Sequence, residues 1–312
     1  MNNPIPKFAV LLAAYNGLPY IKDQINSILD QKKVDLTIFI STDLSTDGTH
    51  EYVSNLARSD TRLVVLPYGQ IFGGAGPNFY RLFKDVDLRD FDYLALSDQD
   101  DYWLPEKLFR AHAAILSSNS CAYSSSVVAF WESGRIKYFK KSYPQRKYDF
   151  LFESAGPGCT YVLTKDLGLN FQNFILTAGN SLLSVDYHDW LIYAFARASR
   201  NNWVIDSWSG IKYRQHSSNQ LGVNGGVRAF ILRAKKIIDG YGFSQALLIA
   251  NLLGMSKLVI VRLGISRGSF GYLWLSLRCF QCRRKPLDIL LFFISCILLA
   301  IFNPQPMVSS NE

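Results

Sequence analysis

The sequence contains few cysteines and no pattern that pairs them. Its five cysteines are an odd number, and Cys279 and Cys282 form one CxxC pair without a second pair or a nearby histidine. A disulfide framework is therefore not indicated, and a zinc site is disfavoured. We expect a reducing compartment such as the cytosol.

The sequence also lacks the glycine fingerprint of dinucleotide-binding proteins. No predicted strand is followed by GxGxxG, and the GGAG at 73–76 does not have its spacing. This argues against a dinucleotide oxidoreductase, in which that turn holds the pyrophosphate.

Long apolar runs are missing as well. FAVLLAA at 8–14 does not have the length of a signal peptide, and it predicts a buried strand instead. The run ILLFFISCILLAIF at 289–302 is shorter than the about 20 residues that a spanning helix needs. We expect this segment to lie in the membrane plane, to re-enter the membrane or to be buried in protein.

Acidic residues are almost absent from residues 212–285. That segment holds 13 Lys and Arg but a single acid, Asp239, whereas residues 1–211 hold 20 basic and 22 acidic residues. Such a block indicates a polyanionic partner, either nucleic acid or an anionic membrane surface. Because an apolar run follows the block, we expect the cytoplasmic membrane surface and no nucleic acid. A helical packing domain with a basic outer face remains the alternative.

The first hundred residues alternate between apolar strands and amphipathic helices. This order predicts an α/β fold with a mostly parallel sheet and right-handed crossovers. The predicted strands are 8–15, 36–40, 62–66 and 91–97, and the predicted helices are 19–31, 46–58, one from 78, and 105–116. Further strands are predicted within 121–131, at 135–139, after 155–159, at 203–206 and at 209–214, and further helices within 184–200 and at 227–239, 244–265 and 269–282.

Three carboxylates crowd the end of the fourth predicted strand, in SDQDD at 97–101. Asp98, Asp100 and Asp101 repel one another unless their pKa values rise or a cation neutralises them. Carboxylate oxygens suit Mg²⁺ or Mn²⁺, and an ion held by one or two of them keeps positions open for phosphate oxygens. An acidic loop alone would more often cap the helix that follows. Its place at a strand end in an alternating pattern favours the cation site, because ligands bind beyond the carboxyl ends of parallel strands.

Four segments carry a family resemblance. They are AAYNG (13–17), STDLSTDGT (41–49), SDQDDYWLPEKL (97–108), and HDW (188–190) followed by YRQHSSN (213–219). In this order they resemble an inverting glycosyltransferase of family 2 with the GT-A fold, over roughly residues 7–220. The third and fourth segments are similar to motifs of the rhamnosyltransferase-like branch, which builds O-antigen, capsule and exopolysaccharide.

The resemblance implies a nucleotide site and a metal site. Tyr15 and Asn16 would line the base and ribose, and Asp43 would contact one of them, although Thr42 and Leu44 depart from the usual DDGS. The implied nucleotide-binding residues are Ala14, Tyr15, Asn16, Asp43, Asn78 and Asp98. The implied ligands of Mn²⁺ or Mg²⁺ are Asp98, Asp100 and His216.

The resemblance also implies that Asp189 is the general base. A sugar hydroxyl is a poor nucleophile and needs a positioned carboxylate to take its proton. Without the resemblance, Asp189 would be interpreted as an acid stabilised near the start of a helix. The residues implied to contact the sugar or the acceptor are Asp101, Trp103, Gly156, Gly158, His188 and Arg214.

We therefore predict a metal-dependent inverting glycosyltransferase. Its donor would be a dTDP- or UDP-linked sugar, with dTDP-rhamnose suggested by the branch, and its acceptor a lipid-linked glycan. Residues 1–225 would form the GT-A domain, and residues 226–312 a basic, apolar helical region attached peripherally or monotopically to the cytoplasmic face of the inner membrane. The alternative is a catalytically silent scaffold of a polysaccharide assembly complex.

Overall fold

The apolar runs of the first half of the chain form a sheet covered by helices on both faces. The computed structural model describes residues 4–216 and 239–302. The elements of the first half are β1 (Lys7–Ala14), α1 (Leu18–Leu29), β2 (Asp35–Thr42), α2 (Thr49–Ala57), β3 (Leu63–Val65), α3 (Ala75–Asp85), β4 (Tyr93–Ser97), β5 (Tyr102–Trp103) and α4 (Lys107–Ser117). In β1 every residue after Lys7 is buried, as expected for a central strand between two helical layers.

The second half extends this sheet and adds a smaller one. Its elements are β6 (Ala122–Ser125), β7 (Val127–Trp131), β8 (Ile136–Phe139), β9 (Val162–Thr164), α5 (Lys165–Ala178), α6 (His188–Ala198), β10 (Trp203–Asp206) and β11 (Ile211–Gln215). The large sheet has the order β10-β6-β9-β4-β1-β2-β3, and the small one β5-β11-β7-β8. In the large sheet β9 runs antiparallel to β4 and β6, and the other pairs are parallel. The predicted mostly parallel α/β sheet is confirmed.

Several boundaries differ from the predicted ones for local reasons. The strand predicted within 121–131 is divided at Ser126, whose N–H donates to the Asp206 carbonyl at 2.9 Å, so that β6 and β7 belong to different sheets. Helix α2 begins at Thr49 and not at Thr46, because the Asp47 carboxylate accepts hydrogen bonds from the N–H groups of Leu18 and Thr49. Helix α5 was not predicted.

The C-terminal region consists of short helices packed on the α/β layers. They are α7 (Tyr241–Leu252), one π-helical turn (Ile260–Gly264), α8 (Gly268–Ser276), α9 (Cys279–Cys282) and α10 (Pro286–Phe302). The helix predicted at 244–265 ends early, because Gly254 adopts a left-handed conformation with φ of 66°. The helix predicted at 227–239 and the predicted boundary at 225/226 lie in or next to the segment 217–238, outside the described residues.

The C-terminal helices share a hydrophobic core with the sheet. One apolar cluster contains Leu94 and Leu96 of β4 together with Phe243 of α7 and Phe292 and Leu299 of α10. Within residues 4–216 and 239–302, no helix has both the length and the apolar character needed to cross a bilayer. The shared apolar cluster makes the region described after residue 238 part of the folded body.

Candidate functional site

A cavity of about 820 Å³ opens at the carboxyl ends of β1, β2 and β4. Its position follows from the parallel sheet, since strand ends that carry polar loops meet at one edge. The sequence-predicted residues that line it are Ala14, Tyr15, Asn16, Asp43, Asn78, Asp98, Asp100, Gly158, His188, Asp189 and His216. The loops that follow β1, β2 and β4 therefore meet at one crevice.

The loop after β1 is held against the acidic loop by the Gln99 side chain. The Tyr15 N–H donates to Gln99 Oε1 at 2.7 Å, and Gln99 Nε2 donates back to the Tyr15 carbonyl at 2.8 Å. Asn16 has a left-handed φ of 46°, and its side-chain oxygen accepts from the Thr46 N–H at 2.8 Å. The tyrosine side chain remains 56% exposed at the cavity wall, where an aromatic face is available to a base.

Asp43 and Asn78 shape the neighbouring part of the wall. The Asp43 carboxylate accepts from the N–H groups of Leu44 at 2.8 Å, Phe72 at 2.9 Å and Gly73 at 3.0 Å. Asn78 Nδ2 donates to the Ser41 carbonyl at 3.1 Å. Both side chains are buried, so they fix the cavity outline while presenting part of their surface to it.

The acids at the exit of β4 carry excess negative charge. Burial first, and then the charges of Asp100 and Asp189, raise the pKa of Asp98 to about 7. Burial followed by repulsion from Asp100 and Asp98 raises the pKa of Asp101 well above its usual range. Asp101 Oδ2 is buried and finds no hydrogen-bond partner in the described part of the chain. A divalent cation would neutralise the repulsion between these carboxylates, so the chemistry of the cluster fits such an ion.

Strand β11 brings the other predicted metal ligand to the same place. His216 Nε2 lies 2.7 Å from Asp100 Oδ2, and its ring stacks on Tyr20 with centroids 4.7 Å apart. Asp98, Asp100 and His216 all line the cavity, and they are the residues that could hold Mn²⁺ or Mg²⁺. Asp98 and Asp101 also lie close to the Cys159 thiol, with potential ligand atoms within 4.8 Å of one another. Residues 217–219 of the predicted motif are outside the described residues.

The predicted base stands at the start of α6. Asp189 Oδ1 accepts from the Trp190 N–H at 2.8 Å. Burial raises the pKa of Asp189 to about 6, although the Trp190 N–H, the Ser154 hydroxyl and the Lys141 ammonium oppose this effect. The carboxyl is therefore ionised at neutral pH and retains appreciable basicity.

His188 lies beside the base as a neutral imidazole. Burial lowers the pKa of His188 to about 3, and its ring stacks on Phe79 with centroids 4.3 Å apart. Nε2 makes no hydrogen bond to any described residue. A Cβ on Gly158 would approach this nitrogen to 2.7 Å, so the glycine makes room for the ring.

Some predicted contacts are not at the cavity. Trp103 is fully buried in the core, where the Lys107 ammonium lies 3.4 Å from its ring centroid. The Arg214 N–H donates to Asp101 Oδ1 at 3.2 Å and its Nε to the Asp100 carbonyl at 2.9 Å, so this residue supports the acidic loop. Asp101 is completely buried, and Gly156 also lies outside the cavity lining. The structure therefore does not bring these four residues to the position expected for substrate contact.

Other residues of the site are not predicted by the sequence. Gln99 belongs to the acidic motif SDQDD, in which an amide between carboxylates has no signal of its own. The cavity is also lined by Asp186, Tyr187 and Tyr213. In the sequence, the first two are marked only by standing next to HDW, and Tyr213 only by opening YRQH. No sequence pattern indicates that Cys159 belongs to the site, because it lies near Asp98 and Asp101 only in the folded chain.

Comparison with known proteins agrees with this geometry. The family model described as "Glycosyl transferase family 2" matches residues 9–189. The chain is 40% identical over 288 residues to the dTDP-rhamnosyl transferase RfbG of Shigella flexneri, covering 92% of this chain and 99% of that one. It is 24% identical over 212 residues to the UDP-Glc:alpha-D-GlcNAc-diphosphoundecaprenol beta-1,3-glucosyltransferase WfaP of Escherichia coli, covering 68% and 78%.

A solved structure shows the same fold. The S. aureus TarS 1–349 structure in complex with UDP-GlcNAc superposes with a TM-score of 0.52 at 15% identity, covering 94% of this chain and 90% of that one. The match extends over the α/β layers and into the C-terminal helices. With the family match over more than half of the sequence, these findings establish that the chain is an enzyme of glycosyltransferase family 2 with a GT-A-like fold.

Proposed function

We propose that this enzyme transfers a sugar from a nucleotide-diphosphate donor to a lipid-linked glycan, with inversion at the anomeric carbon, in the biosynthesis of a cell-surface polysaccharide. The observation that carries the proposal is one cavity that holds both the acids after β4 and the Asp189 carboxylate. The relative RfbG is named a dTDP-rhamnosyl transferase, which favours dTDP-rhamnose as the donor over UDP-sugars.

The donor side of the cavity would bind the nucleotide and the diphosphate. Tyr15 offers an aromatic face, and the walls built by Asp43 and Asn78 limit the space for base and ribose. Asp98, Asp100 and His216 would hold Mn²⁺ or Mg²⁺. A bound divalent ion would supply positive charge to the departing diphosphate.

The acceptor side would generate the nucleophile. Asp189 takes the proton of the attacking hydroxyl as the bond to the anomeric carbon forms and the bond to the diphosphate breaks. The Trp190 N–H orients its carboxylate. His188, which is neutral, lines the cavity beside the base. Attack opposite to the leaving group produces the inversion.

The C-terminal helices would hold the enzyme at an anionic membrane surface. The large apolar side chains that α8, α9, α10 and the α8–α9 link expose are Phe270, Leu273, Leu277, Phe280, Leu287, Leu290, Leu291, Phe293, Ile294, Ile301 and Phe302. The basic side chains of Arg262 and Arg267 are exposed in the same region. An apolar face bordered by cations suits shallow insertion among anionic lipids on the cytoplasmic side. The lipid-linked acceptor of WfaP, by its name, supports this location.

A donor screen tests the proposed reaction. Purified protein is incubated with dTDP-rhamnose, other dTDP-sugars and UDP-sugars, with and without Mn²⁺, and released nucleoside diphosphate is measured. We expect turnover with one donor class, loss of turnover in EDTA, and recovery on addition of Mn²⁺ or Mg²⁺. Full turnover in chelator would refute the metal role. If Asp100→Asn and Asp189→Asn both left polymer synthesis intact, the silent-scaffold reading would replace this proposal.

Vesicle sedimentation tests the membrane contact. Phe270→Ser with Leu290→Ser should weaken binding to vesicles that contain phosphatidylglycerol, because both side chains are more than half exposed on the apolar face. Leu116→Ser is the matched control, since Leu116 is 63% exposed and belongs to α4, not to the C-terminal helices. Point variants are preferred to deletion, which would remove core residues such as Phe292 and Leu299. Equal sedimentation of all variants would contradict the membrane role.

A further inference from the structure

Two exposed apolar side chains stand on the donor side of the cavity. Leu44, which follows β2 after Asp43, is 40% exposed, and Ile71, between β3 and α3, is 75% exposed. Single exposed apolar side chains are common on protein surfaces and need no explanation. These two contribute to the wall of one cavity, so a ligand bound there would cover apolar surface that is now in contact with water.

Hydrogen bonds hold the two loops that carry this pair side by side. The Leu44 N–H donates to the Gln70 carbonyl at 3.2 Å. The Asp43 carboxylate accepts from the Phe72 N–H at 2.9 Å. Ile71 stands between Gln70 and Phe72, so the backbone on both sides of it is fixed to the backbone around Leu44. The pair is therefore part of a built wall and not the tip of a free loop.

The strand order places this wall at a distance from the acids after β4. The order is β4-β1-β2-β3 in this part of the large sheet, and neighbouring strands lie about 4.8 Å apart, so the loop after β2 is about 10 Å from the acids. With the diphosphate at Asp98 and Asp100, the nucleoside extends across Tyr15 after β1 toward Leu44 and Ile71. The apolar pair then lies at the base end of the cavity.

The acid at this end is mostly occupied by the backbone. Asp43 is 5% exposed, and its carboxylate accepts from three N–H groups, those of Leu44, Phe72 and Gly73. An ionised carboxylate has about four acceptor positions, so one is left for a ligand. Recognition of the base at this wall therefore depends largely on apolar contact. Thymine differs from uracil by one methyl group on C5, which is a group that apolar side chains can distinguish.

We propose that Leu44 and Ile71 recognise the C5 methyl group of thymine and so select dTDP-linked over UDP-linked donors. The inference rests on the proposed function, because it requires a nucleoside diphosphate in this cavity with its phosphates at the acids. It also gives a role to the departure of this sequence from DDGS, since the glycine of that motif, where Leu44 stands, has no side chain to contact a methyl group.

The test compares the affinities of dTDP, dUDP and UDP for the full-length protein with Mn²⁺, measured by isothermal titration calorimetry. The first two nucleotides differ only in the methyl group, and the last two only in the 2′-hydroxyl. The intact protein should bind dTDP about 4-fold more tightly than dUDP, the value of one buried methylene. Leu44→Ala with Ile71→Ala should reduce this ratio below about 2-fold. The variant should fold, because both side chains are exposed.

The matched control is Leu18→Ala. Leu18 is the same residue type with the same 40% exposure, and it begins α1 beside the site but outside the cavity lining, so its replacement should leave the ratio unchanged. A ratio near 1 in the intact protein, or an unchanged ratio in the double variant, would overturn the inference. If the double variant does not fold, the ratio of Ile71→Ala decides in the same way.

Two further outcomes separate this inference from the proposed function. Tighter binding of UDP than of dTDP by the intact protein would overturn the selection of thymine and leave transfer from a nucleotide donor in place. Failure of all three nucleotides to bind, with or without Mn²⁺, would refute the proposed function and the inference with it.

Discussion

Two carboxylates on the cavity wall have raised pKa values for different reasons. The pKa of Asp98, about 7, is raised by burial and by the like charges of Asp100 and Asp189. The pKa of Asp189, about 6, is raised by burial, while the Trp190 N–H, the Ser154 hydroxyl and Lys141 oppose the rise. The first group lacks positive charge and suits a cation, whereas the second has its own donors and can act as a base. Similar burial thus prepares two acids for two roles.

The largest effect is expected when the acceptor-side carboxylate, Asp189, is replaced. Asp189→Asn keeps the shape but cannot take a proton, so kcat for transfer should fall by about 10²–10⁴-fold. Donor binding, measured by titration with dTDP or UDP, should stay within about 2-fold, because the proposed nucleotide contacts come from the loops after β1, β2 and β4. Comparable losses in transfer and nucleotide binding would show that the two sides of the cavity are not separate.

Replacing the donor-side carboxylate Asp100 should change how strongly Mn²⁺ activates the enzyme. Asp100→Asn should weaken activation by Mn²⁺ at least about 10-fold, because even residues behind the direct ligands commonly contribute that much. In the intact protein Mn²⁺ should also raise the melting temperature, by an amount that grows with metal concentration, since it binds the folded state. Differential scanning fluorimetry with Mn²⁺ or EDTA measures this. An equal increase in Asp100→Asn would place the metal elsewhere.

The pH dependence of kcat/KM should reflect the ionisation of Asp189 on the acceptor side. Asp189 acts in its ionised form, so kcat/KM at saturating metal should be constant above about pH 7 and fall up to about 10-fold per pH unit below the pKa near 6. Assays between pH 5 and pH 8, with a check that the protein stays folded, are sufficient. A rate that increases on acidification would mean that Asp189 acts as an acid.

The smallest expected effect concerns a residue below the donor side. Trp103 is fully buried, so Trp103→Phe should lower the free energy of unfolding by about 1–2 kcal/mol through a small packing defect. Acceptor KM should remain within about 2-fold. Chemical denaturation and steady-state kinetics measure the two quantities. A large increase in acceptor KM with unchanged stability would restore the substrate role that the sequence resemblance implied.

The sequence could predict the cavity because parallel strands place their carboxyl ends at one edge. AAYNG, STDLS and SDQDD each follow an apolar strand, and that rule brings Tyr15, Asp43 and Asp98 together without knowledge of side-chain packing. Helix α5 was not predicted from the sequence, because Gly168 and Asn170 interrupt its apolar pattern. Tertiary packing explains the glycine: a Cβ there would approach Leu94 Cδ1 to 2.7 Å.

Pairing between distant strands explains why Trp103 and Arg214 lie outside the cavity lining. The family resemblance implied that Trp103 contacts the sugar or the acceptor. In the structure β5 pairs with β11, and this turns the tryptophan into the core while Arg214 supports the acidic loop. A single sequence does not contain that pairing, since the two strands are about a hundred residues apart.

The sequence by itself determined the α/β order, the edge at which ligands bind and the acids that stand there, because these depend on local periodicity and on the geometry of parallel strands. Only the tertiary structure decided which of those acids face the cavity, which lie beneath it, and that the C-terminal helices share a core with the sheet. Those outcomes depend on contacts such as Arg284 with Glu153, which join residues 131 positions apart and leave no periodic signal in the chain.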